Sequence, residues 1–538
     1  MKLSAIKIGD DREWIDKGYG LVKFDRDSVI KNTSENPEWV HFGPGNIFRS
    51  FIALLQQELL ERGIEKKGII VAEGYDHEII EKIYRPKNNL SLAVTLHADG
   101  SIDKTVVGSI TESLIMDTEL PDWERLKHIF RSETLKMASF TITEKGYNLK
   151  NQNGEYFPFV QSDLIGGPAK PQGYMGKVAA LCYERYLAGK LPISFVSMDN
   201  CSHNGTRLFE AIDTISGEWE KSGLVREGFR EYVNDKSKVG FPWSMIDKIT
   251  PRPDEKVVEM LRADGFEDTD IVVTAKGSYV APFVNAEETQ YLVIEEWFPN
   301  GRPKLEKAGA IFTDRTTVEK VEKMKVCTCL NPLHTALAIY GCLLGHKLIW
   351  EEMKDPDLKK MVEIIGYREG LPVVVDPGIM DPREFIDTVL NVRFPNVFMP
   401  DSPQRIATDT SQKLAIRFGE TIKAYLKSDS LSVKDLKIIP LVFAGWCRYI
   451  LGADDSGSPF TPSGDPLLAD IRNHLGDIRL GDAGSFHKQL YPIFSNTSIF
   501  GVDLYESGLG EVAEGYFSEL VAGKGAVRRT LKKYVSEV

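Results

Sequence analysis

Apolar and polar positions change rhythm along this chain. Trp39-Val40-His41-Phe42 is a short, mostly apolar run that leads into Gly43-Pro44-Gly45-Asn46. Over residues 47–62, Phe48, Phe51, Ile52, Leu55 and Leu59 recur at helical spacing on one face, and Gly63 closes the segment. Gly68-Ile69-Ile70-Val71-Ala72-Glu73 follows, a buried parallel strand that ends in an acid. Strand, glycine turn, helix, strand, acid is the order of a dinucleotide-binding βαβ unit. Further strands are expected at 92–96, 105–110, 137–143 and 193–198, with helical periods between several of them. Beyond about residue 315 long helical periods dominate, at 318–344, 358–365, 382–392, 411–426 and 433–451. The pattern predicts an α/β fold. An N-terminal extension (1–36) precedes a Rossmann-type dinucleotide-binding domain (37–315), and a mainly α-helical substrate domain (316–538) follows.

Composition narrows the class. The 538 residues are 42% hydrophobic and 27% charged, enough for two or three domains with large cores. A net charge of −12 argues against a general nucleic-acid binder, yet a local Arg/Lys pocket still suits a small anionic substrate. The six cysteines form no C-x-x-C pair, and Cys327 and Cys329 alone make no zinc site, so they read as reduced thiols of a cytoplasmic protein without a metal. Residues 1–10 carry Lys2, Lys7 and Asp10 with no apolar stretch, which predicts no signal peptide. The longest apolar segment, 335–344, is too short to span a bilayer and predicts a buried helix.

The glycine turn is the first chemical candidate. A diphosphate needs backbone N–H groups close by and a helix N-terminus behind them. Gly43 and Gly45 permit that approach, and Asn46 completes the turn. Phe48 stands where the third glycine of G-x-G-x-x-G belongs. A bare Gly-x-Gly also describes a plain turn; the strand before it and Glu73 after it favour a cofactor. Arg49 reads equally as a phosphate partner or as a solvated helix arginine. Glu73 suits the adenosine ribose hydroxyls and repels a 2′-phosphate. With no Arg in Gly74-Tyr75-Asp76-His77, this favours NAD over NADP. The alternative is an exposed strand-end acid.

The second candidate is Lys325-Val326-Cys327-Thr328-Cys329-Leu330-Asn331-Pro332-Leu333-His334. Asn331 and His334 share a helical face, and polar groups at the start of an apolar helix are costly unless paired or functional. A capped helix start with a satisfied core histidine is the plainer alternative.

From Trp39 to about Leu468 the chain resembles the polyol-specific long-chain dehydrogenases, the mannitol dehydrogenase family. The similar blocks are Phe42-Gly43-Pro44-Gly45-Asn46-Ile47-Phe48-Arg49, Thr141-Ile142-Thr143-Glu144-Lys145-Gly146-Tyr147, and Ser197-Met198-Asp199-Asn200 with His203-Asn204-Gly205. Later ones are Phe241-Pro242-Trp243-Ser244-Met245-Ile246-Asp247-Lys248, Arg405-Ile406-Ala407-Thr408-Asp409-Thr410-Ser411-Gln412-Lys413, and Gly445-Trp446-Cys447-Arg448-Tyr449. Lys248 replaces a usual Arg and Thr410 a usual Gly. The resemblance implies NAD-dependent hydride transfer at a secondary alcohol of a sugar acid or polyol. Mannonate with fructuronate is the leading pair, and mannitol with fructose the alternative. A non-catalytic NAD-binding sensor is the reading from another class. The resemblance assigns Lys325 as general base, Asn200 and Asn331 as partners of the reacting oxygen, and His334 as its orienter. It assigns Asp247, Arg405 and Lys413 to the substrate. In the family the lysine stands five residues before the asparagine; here Lys325 is six before Asn331. An extra residue turns a helical side chain by about 100°. Either a bulge or loop absorbs it, or Lys323 serves instead.

Overall fold

The computed structural model describes residues 1–7, 11–482 and 485–537. The signal-peptide expectation rests partly on residues 8–10, which lie outside the described residues. The chain forms two compact units, Met1–Leu96 with Ser101–Glu319, and His97–Gly100 with Lys320–Val538.

The first unit is built on a six-stranded, wholly parallel sheet. Its strands are β2 (Trp39–Phe42), β3 (Ile69–Glu73), β6 (Ile110–Ile115), β7 (Met137–Phe140), β8 (Ile193–Ser197) and β9 (Val239–Gly240), in the order β6-β3-β2-β7-β8-β9. Alternate residues feed two separate cores. Val40, Phe42, Ile70, Ala72, Ala138 and Phe140 face one. Trp39, Ile69, Val71, Met137 and Val196 face the other. This is the doubly wound order 3-2-1-4-5-6, and the winding reverses between β2 and β7.

Smaller sheets surround it. One has β1 (Tyr19–Gly20), β5 (Ile102–Val107), β4 (Ser91–Leu96) and β13 (Phe283–Glu287) in the order β1-β5-β4-β13. Another has β10 (Ser244–Asp247), β14 (Tyr291–Glu295) and β15 (Ile311–Thr313). A hairpin pairs β11 (Val272–Val273) with β12 (Tyr279–Val280).

Three expectations change. The strand expected at 105–110 is the end of β5 and the start of β6, which belong to different sheets and meet at Gly108-Ser109. Both ends are apolar and buried, so they read as one run. Residues 1–36 are not an appendage: β1 pairs with β5, Leu3 N–H donates to Asp268 at 2.7 Å, and Trp14 packs on Tyr19 and Phe266. The helix over 47–62 opens with a π-helical turn, Phe48–Ile52, before Ala53–Glu61. It buries Arg49, Ser50, Gln56 and Gln57 as well as its apolar face.

The second unit is mainly helical. Asn331–Leu344 is almost entirely buried, and every residue of Ile438–Ile450 is buried. The latter starts later than 433 because Glu369 accepts the N–H groups of Lys437, Ile438 and Ile439 at 2.6, 2.7 and 2.9 Å. Four expected helices contain π-helical turns: Lys325–Cys329, Ile364–Gly370, Val389–Arg393 and Ala415–Gly419. Arg315–Leu344 has the length and apolarity to cross a membrane, and 72% of its most apolar window is buried inside the fold.

Candidate active site

The glycine turn leaves β2 where the sheet's winding reverses. Gly43 has φ +101°, and a Cβ there would meet Thr141 O at 2.2 Å. Only glycine fits. A Cβ on Gly45 would meet nothing within 4 Å, so open space lies above the turn. That is the cradle a diphosphate needs. Asn46 is fixed from below: its Oδ1 accepts from Arg49 Nη2 at 3.0 Å.

Arg49 is no solvated helix arginine. It is fully buried, and Nη1 donates to Ala281 O at 2.7 Å and Ser91 Oγ at 3.2 Å. It is not solvated, and its terminal nitrogens tie the turn to the smaller sheet. Phe48 is also buried, stacked on His41 with ring centroids 4.1 Å apart. The place of the missing glycine is thus filled by an aromatic directed into the core. His41 Nδ1 lies 2.7 Å from Ser139 Oγ, and burial pushes the imidazole pKa down to about 3.

Glu73 ends β3 and is 6% exposed, which removes the exposed-acid alternative. Its Oε1 accepts Tyr75 N–H at 2.5 Å and Asp76 N–H at 3.1 Å. Both of these bonds fall on Oε1. Burial pushes the carboxyl up to about 7 against those N–H groups. The local sequence lacks a cation, but the β11–β12 hairpin brings one. Thr274 Oγ1 donates to Asp76 at 2.6 Å, 198 residues apart in the chain, and Lys276 Nζ lies 5.1 Å from the Tyr75 ring centre.

Asn200 is exposed in the turn after β8. The buried Asp199 before it accepts Ile142 N–H (3.0 Å), Thr143 N–H (2.8 Å) and Tyr147 O–H (2.5 Å). Asn204 Nδ2 donates to Asp199 O and Ser244 O, both at 3.0 Å, tying this turn to β10. Asp247, buried, ends β10. Asp199 and Asn204 were not singled out from the sequence, although they sit in the similar blocks; polar residues in turns read as ordinary turn formers.

In the second unit Lys325 opens a π-helical turn, with Leu330 N–H donating to Lys325 O, five residues back, at 3.1 Å. A π turn holds one more residue than an α turn, so a bulge lies between Lys325 and Asn331. Lys325 is 3% exposed, whereas Lys323 faces solvent. Asn331 then starts its helix. Its carbonyl accepts Thr335 Oγ1 at 2.8 Å, and its side-chain amide makes no hydrogen bond among the described residues.

His334, one turn on, is not a satisfied core histidine. Its Nε2 is buried without a hydrogen bond, 3.7 Å from Asp401 Oδ2. Burial first, and then the nearby Arg417, Arg405 and Arg393, lower its pKa to about 4 against the pull of Asp401. Arg405 pairs with Asp401. Lys413 Nζ donates to the carbonyls of Ile406, at 3.3 Å, and Thr408. Arg417 Nη1 donates to Thr335 Oγ1 at 2.5 Å. Arg393 and Arg417 were missed in the sequence because nothing local separates them from solvated helix arginines. No disulfide joins any of the six cysteines.

Known proteins match the whole chain. The mannitol dehydrogenase Rossmann domain matches residues 37–307, and the mannitol dehydrogenase C-terminal domain matches residues 317–513. The D-mannonate oxidoreductase of Thermotoga maritima is 55% identical over 537 residues, 99% of each chain. A substrate-free D-sorbitol dehydrogenase structure aligns with a TM-score of 0.77 at 22% identity, over 96% of this chain and 97% of that one. Pseudomonas fluorescens mannitol 2-dehydrogenase, in ternary complex with NAD and D-mannitol, aligns with a TM-score of 0.69 at 24% identity, over 99% and 100%. These two structures share the fold.

Proposed function

The chain belongs to the mannitol dehydrogenase family, and from that premise we propose that it is an NAD-dependent oxidoreductase interconverting D-mannonate and D-fructuronate by hydride transfer. The observation that carries this reading is the cluster around His334, where Arg393, Arg405 and Arg417 stand against the acid Asp401. A sugar acid brings a carboxylate to such a place and a hexitol brings none. The 55% identity to a D-mannonate oxidoreductase supports the same substrate.

The turn at Gly43, Gly45 and Asn46 suits the diphosphate of NAD, and Glu73 suits its adenosine ribose. Bound NAD supplies the acceptor for the hydride that leaves the alcohol carbon. Lys325 Nζ, neutral when it acts, takes the proton from the alcohol oxygen and returns it in reduction. Asn331 donates its amide N–H to that oxygen as charge develops there. The family resemblance assigns Asn200, in the first unit, to the same oxygen. His334, kept neutral by its surroundings, orients it. Asp247, Arg405 and Lys413 hold the remaining substrate oxygens. The partner is a small molecule, and thiols outside any disulfide suit a cytoplasmic setting.

The test is a comparison of initial rates with NAD on D-mannonate and D-mannitol. A buried charge-assisted contact predicts a kcat/KM for mannonate at least about 100-fold higher. Equal values, or a preference for mannitol, would move the assignment to the hexitol reading.

A further inference from the structure

Arg417 is an unusual arginine in this chain. It is half-buried within the π-helical turn Ala415–Gly419, and no acid pairs with it among the described residues. Its neighbours in the cluster are already answered: Arg405 pairs with Asp401, and Lys413 donates to two backbone carbonyls. Burial pushes the Arg417 pKa down to about 10, which still leaves it a cation at neutral pH. A guanidinium has five N–H donors in a planar fork. Among the described residues only one of them is used, toward Thr335 Oγ1 at 2.5 Å. A partly desolvated cation with no acidic partner, whose remaining donors are not buried, is placed to take an anionic ligand.

Its one contact also has a direction. Thr335 accepts from Arg417 and donates to Asn331 O at 2.8 Å. The guanidinium is thereby fixed relative to the residue whose amide is assigned to the reacting oxygen. A carboxylate held in the fork and a hydroxyl held by Asn331 define two points on one open-chain molecule.

We propose that Arg417 binds the carboxylate of the sugar-acid substrate through its unused N–H groups and is the residue that sets the preference for an aldonate over a hexitol. This rests on the proposed mannonate reaction and names the group that selects for it. Arg405, being answered by Asp401, then serves the chain's hydroxyls rather than its carboxylate.

The experiment measures kcat/KM for D-mannonate and D-mannitol in wild type, Arg417→Ala and Arg417→Lys, with NAD affinity read by fluorescence titration. Arg417→Ala is expected to lower the mannonate-to-mannitol ratio by about 100-fold, mostly through KM for mannonate. Guanidinium ion added to the medium restores part of the mannonate rate. Arg417→Lys keeps the charge and loses the fork, and the ratio falls by about 10-fold. This variant carries the test if the alanine variant fails to fold. A wild type without mannonate preference overturns the substrate reading itself. A wild type that prefers mannonate, with variants that keep the same ratio, overturns the role of Arg417 alone.

Discussion

Glu73 combines two properties that pull apart: it is proposed to hold an adenosine ribose, and burial raises its carboxyl to about 7. Only the ionised form repels a 2′-phosphate. The carboxyl is neutral below that value and charged above it, so discrimination against NADP should increase as pH rises through about 7. In Glu73→Ser the preference for NAD should fall by about 10-fold or more, and its pH dependence should vanish. The measurement is the NAD-to-NADP ratio of kcat/KM at several pH values. A ratio that is flat in the wild type removes Glu73 from cofactor selection. At this scale the sequence was legible where a residue's place follows from chain order, with Gly43 and Gly45 in the turn after β2 and Glu73 at the end of β3. It was not legible for Arg49 and Phe48. Their burial depends on β4, on the end of the β12 hairpin strand and on His41, which local periodicity does not contain.

Elements were legible when a period or an apolar run was bounded by turn residues, and misread where two buried runs abut or a helix takes in a π-helical turn. The split of 105–110 between two sheets and the π-helical turns inside expected helices both follow from tertiary packing that overrides local pattern. The short helix Ile349–Glu352 shows the same packing at its tightest. Glu352 lies so close to Gly341 of the helix Asn331–Leu344 that a Cβ there would fall 1.7 Å from its Oε1. Both its carboxylate oxygens are buried without hydrogen bonds, and burial raises its pKa well above 4.5. The folded state therefore keeps this proton after the unfolded chain has released it. The stability tied to it is present below about pH 4.5 and is lost as pH rises toward the folded value. Glu352→Gln should stabilise the protein by about 1–3 kcal/mol at neutral pH and flatten the decline on the alkaline side. Denaturant unfolding at a series of pH values measures it; a destabilised glutamine variant at neutral pH would mean that the carboxylate is ionised and compensated.

On the scale of the whole molecule, the cofactor turn and Glu73 belong to the first unit, whereas Lys325, Asn331 and His334 belong to the second. In the sequence the period changes from strand-and-helix to helix alone near residue 315, and the two units part between Glu319 and Lys320. The sequence did not carry the gathering of arginines around His334, which takes residues from three separate helical segments. The division has a consequence for the central claim, that Lys325 moves the proton in hydride transfer. The most direct measurement is kcat against pH for wild type, Lys325→Ala and Lys323→Ala, with NAD affinity determined alongside. Lys325→Ala should keep NAD affinity and lose about 10²–10⁴-fold in kcat. The rise of the wild-type oxidation rate with pH should vanish in that variant, and small amines should restore part of its rate. Lys323→Ala should behave as wild type. An inactive Lys323→Ala beside an active Lys325→Ala would contradict the account, as would two active variants.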